Sequence, residues 1–296
     1  DDFLADILKR EGYKAGNTLK LILPFLKAYG ASDKKIKKYS ASHLLLIPKA
    51  KKMLFYLRKI MPVFIISTSY QPYIEALCKF LNFPKENTYF TSLNLDNYDI
   101  PQEEVEILKE MAQEIINLPL INLSQIKENI IPQKMEESIK KLDEIFKDKI
   151  PFMKCGRILK EVDPVGGKKK AEAVLDSLKR SGGKLSDVMY VGDSITDVEA
   201  LKLVKDEGGI AVSFNGNLYA LRAAQIACIS PDASPILALA ELFYKKGEKA
   251  VLDMIVKEAS TPPTFAIISK DSLEILTNES EAMRKKVRGE RIGKLG

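Results

Sequence analysis

The chain of 296 residues has no tryptophan, a single histidine and three cysteines. One histidine, His43 in Ser42-His43-Leu44, argues against a zinc enzyme and against the dyads and triads built on imidazole. We read it as a residue on the face of a helix. Cys78, Cys155 and Cys228 are far apart and form no CxxC pair. They therefore suit neither a disulfide framework nor a zinc site, and we expect reduced, mostly buried, intracellular thiols. No run of about 18 uncharged apolar residues occurs, so no membrane span is expected. Asp1-Asp2-Phe3 offers neither a basic nor an apolar leader region, so the start does not read as a signal peptide. A cytoplasmic location is the expectation. The first residue is not Met, which suits a processed chain or a fragment.

Excess charge of one sign is also scarce. There are 46 basic and 40 acidic side chains, a net charge of +6. Most of the excess lies between Arg284 and Gly296, where Arg284, Lys285, Lys286, Arg288, Arg291 and Lys294 face one acid, Glu290. A solvated, partly helical tail is the simplest expectation. Nucleic acid is an unlikely partner, because the rest of the chain is nearly neutral. With 46% hydrophobic and 29% charged residues the composition is globular, which excludes collagen-like and disordered classes. The length suits one large domain, or a core with a sizeable second lobe.

Residues 3–61 read as helices. Thr18 could cap Leu19–Tyr29, with Gly30 after it and Pro24 kinking or dividing it. Pro48 suits a first helical position, followed by an apolar face of Ala50, Met53, Leu54 and Leu57. Val63-Phe64-Ile65-Ile66 then predicts a strand buried on both faces, ending at Ser67-Thr68-Ser69. Tyr73–Leu81 reads as a helix and Thr88–Leu93 as a weaker strand. Residues 101–149 are again helical. The second half alternates: a helix over Lys169–Arg180, a strand Val188–Val191, a helix Ile195–Val204, and strands Ile210–Val212 and Ile226–Ile229. Residues 234–258 read as helix, and Phe265–Ile268 as one more strand. Such alternation predicts an α/β fold, a Rossmann-like parallel sheet with helices on both faces and a ligand crevice at the strands' carboxyl ends.

Three features fall on that rim. In Tyr190-Val191-Gly192-Asp193-Ser194-Ile195-Thr196-Asp197 a strand enters a Gly-Asp turn, and a second aspartate follows one helical turn later. Asp193 and Asp197 could hold Mg²⁺. Equally, Asp193 or Ser194 could cap the helix, with Asp197 a first-turn acid. Ser67 and Thr68 could donate to a phosphate oxygen, or cap the next helix. Lys168-Lys169-Lys170 sits at a helix start, where a lysine is unfavourable unless it neutralises an anion. The alternative is a solvated cluster.

In this order the three motifs resemble the haloacid dehalogenase-like (HAD) phosphohydrolase superfamily. Ser67 matches its second motif, Lys170 its third, and Asp193 and Asp197 its fourth. Lys170 is preferred in its triplet because Lys170-Ala171-x-Ala173-Val174-Leu175 fits the family's helix. Ile66–Tyr70, Val191–Asp197 and Ser213-Phe214-Asn215-Gly216-Asn217 look like an archaeal, phosphoserine-phosphatase-like branch. Some members of that branch carry the name energy-converting hydrogenase subunit R.

The resemblance implies a Mg²⁺-dependent phosphatase acting on a small phosphorylated metabolite. Asp193 would bind the metal, with Asp197 supporting it or orienting Lys170. Ser67 and Thr68 would hold a phosphoryl oxygen, and Asn215 could line the site or simply serve its turn. Residues 1–60 would be a helical cap segment and 101–150 a helical insertion. Residues 61–100 and 151–258 would form the core, and 259–296 a C-terminal extension. The sequence departs from the family at one point. No strand ending in the nucleophilic D-x-D motif precedes Val63, and Asp96 and Asp99 follow Ser67 in the wrong order. We therefore expect the first core strand to be missing, through truncation at the amino end. An accessory or regulatory subunit with this fold, serving a protein complex, is the alternative.

Overall fold

The structure is a computed structural model and describes residues 3–119, 131–257 and 264–289. Glu290, Arg291 and Lys294 of the basic tail lie outside the described residues. In chain order the elements begin with α1 (Thr18–Ala28), α2 (Asp33–Ser42), α3 (Ala50–Leu57), β1 (Ile65–Tyr70), α4 (Gln71–Leu81) and β2 (Thr88–Thr91). Then come α5 (Gln102–Ile116), α6 (Gln133–Asp143), α7 (Gly156–Glu161), α8 (Lys168–Ser181), β3 (Met189–Gly192) and α9 (Val198–Asp206). The chain continues through β4 (Ile210–Phe214), α10 (Leu218–Ala223), β5 (Ile226–Cys228), α11 (Ser234–Val256), β6 (Phe265–Ile267) and α12 (Leu273–Arg288). The fold is mixed α/β.

The chain divides into two units. The first comprises residues 1–43, 69–76 and 90–164, the second 44–68, 77–89 and 165–296. In this division residues 44–60 cluster with the sheet, and residues 69–76, 90–100 and 151–164 with the helical unit. Packing accounts for residues 44–60 and 151–164. Met53 on α3 joins the core that Ile236 and Leu239 of α11 help to build. Cys155 and Ile158 share a second core with Leu23, Leu108 and Ile145. In that helical core Phe25 meets Phe146 edge to face at 5.9 Å. Pro24 lies inside α1 without dividing it.

In the second unit four strands run in the order β3-β4-β5-β6. The first three are parallel, and β6 adds antiparallel to β5. The period of two along β4 sorts its residues. Ile210, Val212 and Phe214 pack with α11, while Ala211 packs with Val174 of α8, Ala200 and Leu201 of α9, and Ala220 of α10. Both faces are thus covered, and every residue of β4 and β5 is buried. α11 is broken at Gly247, whose φ of 75° no helix allows.

β1 and β2 form a separate two-stranded sheet. Here the structure corrects two expectations. The strand is shifted, so that Ser67, Thr68 and Ser69 lie within it and not after it. Nor is it buried on both faces, for all six of its residues are half-buried. A cavity of about 900 Å³ has Ile66 of β1, the preceding Phe64, and Met189, Tyr190 and Val191 of β3 in its lining. Among the described residues β1 and β3 each have one hydrogen-bonded neighbour in the sheet order, so each leaves an edge unpaired.

The expectation for the basic tail is corrected only in part. Of its described residues, Arg284 is buried, Lys285 and Arg288 are half-buried, and Lys286 is exposed. α12 docks through Leu276, Ser280 and Arg284, all nearly inaccessible. Among the described residues no helix is long and apolar enough to cross a membrane, and the three cysteines are buried and unbridged.

Candidate active site

β3 delivers Asp193 to the end of the sheet, and the turn beyond it is built around Asp197. Gly192 is required there, because a Cβ would come within 2.6 Å of the Asp197 Cβ. Asp197 Oδ2 accepts from the backbone N–H groups of Asp193 and Ser194, each at 3.2 Å, and from Ser194 Oγ at 3.1 Å. Ser194 and Asp197 form a capping box over a short 3₁₀ turn, Ile195–Asp197, that leads into α9.

The other oxygen of Asp197 holds the catalytic candidate. Lys170 Nζ donates to Oδ1 at 2.8 Å, and Tyr190 Oη donates to the same atom at 2.8 Å. Lys170 is 6% exposed and Asp197 3%. The start of α8 is held there by Gly167, whose N–H donates to Thr196 O at 2.9 Å and whose φ is +57°. Of the lysine triplet, Lys168 is exposed and Lys169 half-buried, so only Lys170 is buried.

Burial by itself would raise the Asp197 carboxyl. The Lys170 ammonium, with its hydrogen bond, outweighs this, aided by Tyr190 and the Asp193 N–H, and the carboxyl lies below its ordinary range. The Tyr190 phenol is pushed well above its usual value, first by burial and then by the Asp197 charge.

Asp193 has different company. Its Oδ2 accepts from Arg284 Nη1 at 2.8 Å and from Arg288 Nη2 at 2.5 Å. Arg284 Nη1 also reaches the backbone carbonyl of Asp193 at 2.8 Å. Asn215 sits beyond β4 at a φ of +46°. Its amide bridges to Ser230, accepting at 3.0 Å and donating at 2.7 Å, which uses both ends of the side chain. Gly216 permits the close approach of this loop, since a Cβ would lie 2.3 Å from Ser213 Oγ and 3.3 Å from Asp193 Cα. The structure thus brings Lys170, Asp193 and Asp197 together and gives the Asn215 side chain to the loop. Ser67 and Thr68 stand on β1, whose Ile66 borders the same cavity as β3.

A model of the haloacid dehalogenase-like hydrolases matches residues 33–236. The chain belongs to this family. A solved structure, that of gene product AF1437 from Archaeoglobus fulgidus, superposes with a TM-score of 0.85 at 28% identity. The match covers 100% of this chain and 87% of that one. No curated protein matches the sequence.

Haloacid dehalogenase-like hydrolases generally use Mg²⁺. The carboxylates here do not fit the ion as they are placed. Asp197 accepts five hydrogen bonds, and one oxygen of Asp193 is shared by two guanidinium groups. Among the described residues no three His, Cys, Asp or Glu side chains cluster to hold a metal.

In the sequence Tyr190 stood only as a strand residue, and Arg284 and Arg288 only as part of the basic tail. A signal for the arginines existed. Leu276, Ser280, Arg284 and Arg288 recur at four-residue spacing, which puts them on one stripe of α12.

Two outcomes follow for stability. Asp197→Asn leaves the Lys170 ammonium buried without its counter-charge and should cost about 3–5 kcal/mol in urea unfolding. The double variant with Lys170→Met should recover part of that loss. The depressed Asp197 carboxyl adds stability that is fully present above its unfolded pKa of about 3.9 and is lost as pH falls through the folded value. Wild-type stability measured against pH should show an acid limb below about pH 4 that is shallower in Asp197→Asn.

Proposed function

We propose that this chain is the body of a phosphomonoester hydrolase acting on a small phosphorylated metabolite. The observation that carries this reading is the buried Lys170–Asp197 pair beside Asp193 at the end of β3. A lysine ammonium fixed by a buried carboxylate is a preorganised counter-charge. It stabilises charge gathering on a phosphoryl group without reorganising as the reaction proceeds. Tyr190 and the backbone N–H groups of Asp193 and Ser194 lock Asp197, and Asp197 in turn orients Lys170. Ser67 and Thr68 on β1 would donate to a phosphoryl oxygen.

The same reading assigns the nucleophile to a strand seated in the cavity between β1 and β3. Such a strand would give both edge strands a second neighbour and cover Val191, which is 37% exposed. It would also satisfy edge N–H and C=O groups, worth about 1–3 kcal/mol for each one otherwise buried unpaired. A carboxylate at its carboxyl end would attack phosphorus, the P–O bond to the leaving group would break, and the departing alkoxide would take a proton from solvent to leave as the alcohol. Water would then hydrolyse the aspartyl-phosphate to inorganic phosphate. Mg²⁺ supplies charge neutralisation in the family at large. Here the group assigned to that task is Lys170.

A second reading, an accessory subunit without turnover, is favoured by the two arginines that neutralise Asp193. One experiment separates the two. Residues 1–296 and a form extended by the gene upstream of Asp1 are assayed for release of inorganic phosphate from p-nitrophenyl phosphate. The hydrolase reading expects turnover only in the extended form, reduced at least a hundredfold by Lys170→Met and far less by Lys168→Met. An inactive extended form would support the accessory subunit.

A further inference from the structure

Asp193 is neutralised by the chain's own cations. Both come from α12, which is anchored step by step along its length. Leu276 packs with Leu221 and Ala227. Ser280 Oγ donates to Gly216 O at 2.7 Å. Arg284, whose side chain is 3% exposed, then reaches Asp193 Oδ2 at 2.8 Å, and Arg288, 32% exposed, reaches the same oxygen at 2.5 Å. The stripe therefore ends with two guanidinium groups on one carboxylate oxygen.

We infer that the last turn of α12 is a guanidinium latch that keeps divalent cations off Asp193. This rests on reading Asp193 as the carboxylate that a cation would use. A hard cation needs the lone pairs of a carboxylate oxygen at about 2.0–2.1 Å for Mg²⁺, and it must lose bound water to reach them. At Asp193 Oδ2 those lone pairs already accept from two charged donors. Two fixed positive charges beside them also repel an arriving dication.

The two arginines differ in how firmly they are held. Arg284 is buried and tied to the backbone carbonyl of Asp193 as well, at 2.8 Å. Arg288 is the final residue of α12, and Gly289 follows it at a φ of +84°. The half-exposed Arg288 side chain can rotate away from Asp193 while Leu276, Ser280 and Arg284 stay seated. Cation binding at Asp193 Oδ2 and the docking of Arg288 there are then mutually exclusive, and a phosphate or a partner's acid that captured Arg288 would open that oxygen.

The test is a titration of the 296-residue chain with Mn²⁺ alone, free ion being followed by electron paramagnetic resonance. Arg288→Gln removes an exposed group from a helix end, and thermal melting checks that it stays folded. The latch requires Arg288→Gln to bind Mn²⁺ at least tenfold more tightly than wild type, and requires the gain to vanish in Arg288→Gln/Asp193→Asn. Equal affinity in wild type and Arg288→Gln overturns it. So does a gain that survives loss of Asp193, or a failure of both proteins to bind. The titration reads no turnover. An inactive extended enzyme would count against the hydrolase reading alone, and an unchanged titration against the latch alone.

Discussion

The buried ion pair between Lys170 and Asp197 is the constraint on which the site depends. Two opposite charges, each almost inaccessible, are stable together only where every remaining lone pair and proton has a partner. The chain meets that demand with a ring of short-range contacts. Ser194 and two backbone N–H groups take one oxygen of Asp197, and Lys170 and Tyr190 take the other. Gly192 is small because Asp197 lies against it, and Gly167 turns so that α8 can present its third residue to the pair. Geometry around one carboxylate thereby fixes the ends of β3, α8 and α9.

The sheet of the second unit has a closed side and an open one. β4 and β5 are buried throughout, with α11 on one face and α8, α9 and α10 on the other. Among the described residues β3 has no neighbour on its far edge in the sheet order, and β1 pairs with β2 in a separate sheet. Exposed apolar side chains on edge strands are a liability in a folded chain. All six residues of β1 are half-buried, and Val191 of β3 is exposed.

Charge supplies the second organising force. A chain with little net charge over most of its length places two arginines of its basic end on Asp193. Burial makes this contact consequential. Arg284 lies in a protein interior and needs a carboxylate as much as the carboxylate needs it, so α12 is bound to the end of β3 by more than its apolar stripe. The same contact turns Asp193 from an open acid into an internally compensated one.

Much of the fold was legible in the sequence because it rests on periodicity. Runs such as Ile210-Ala211-Val212, the apolar face of α8 and the Gly-Asp turn after Val191 are local patterns, and local patterns determine local structure. The Lys170, Asp193 and Asp197 constellation could be named for the same reason. Each residue sits at the end of a strand or the start of a helix, where chemistry collects. Three things were decided only by the tertiary structure. Whether Asp197 would meet a metal or a lysine depended on a contact 27 positions away in sequence. Asn215 was spent on Ser230 because the β4 and β5 loops converge. Arg284 and Arg288 lie more than 90 positions from Asp193, so their four-residue spacing could put them on one stripe but could not name the carboxylate they meet. Sequence determines what each segment can form, but burial and pairing between distant segments decide which charges meet.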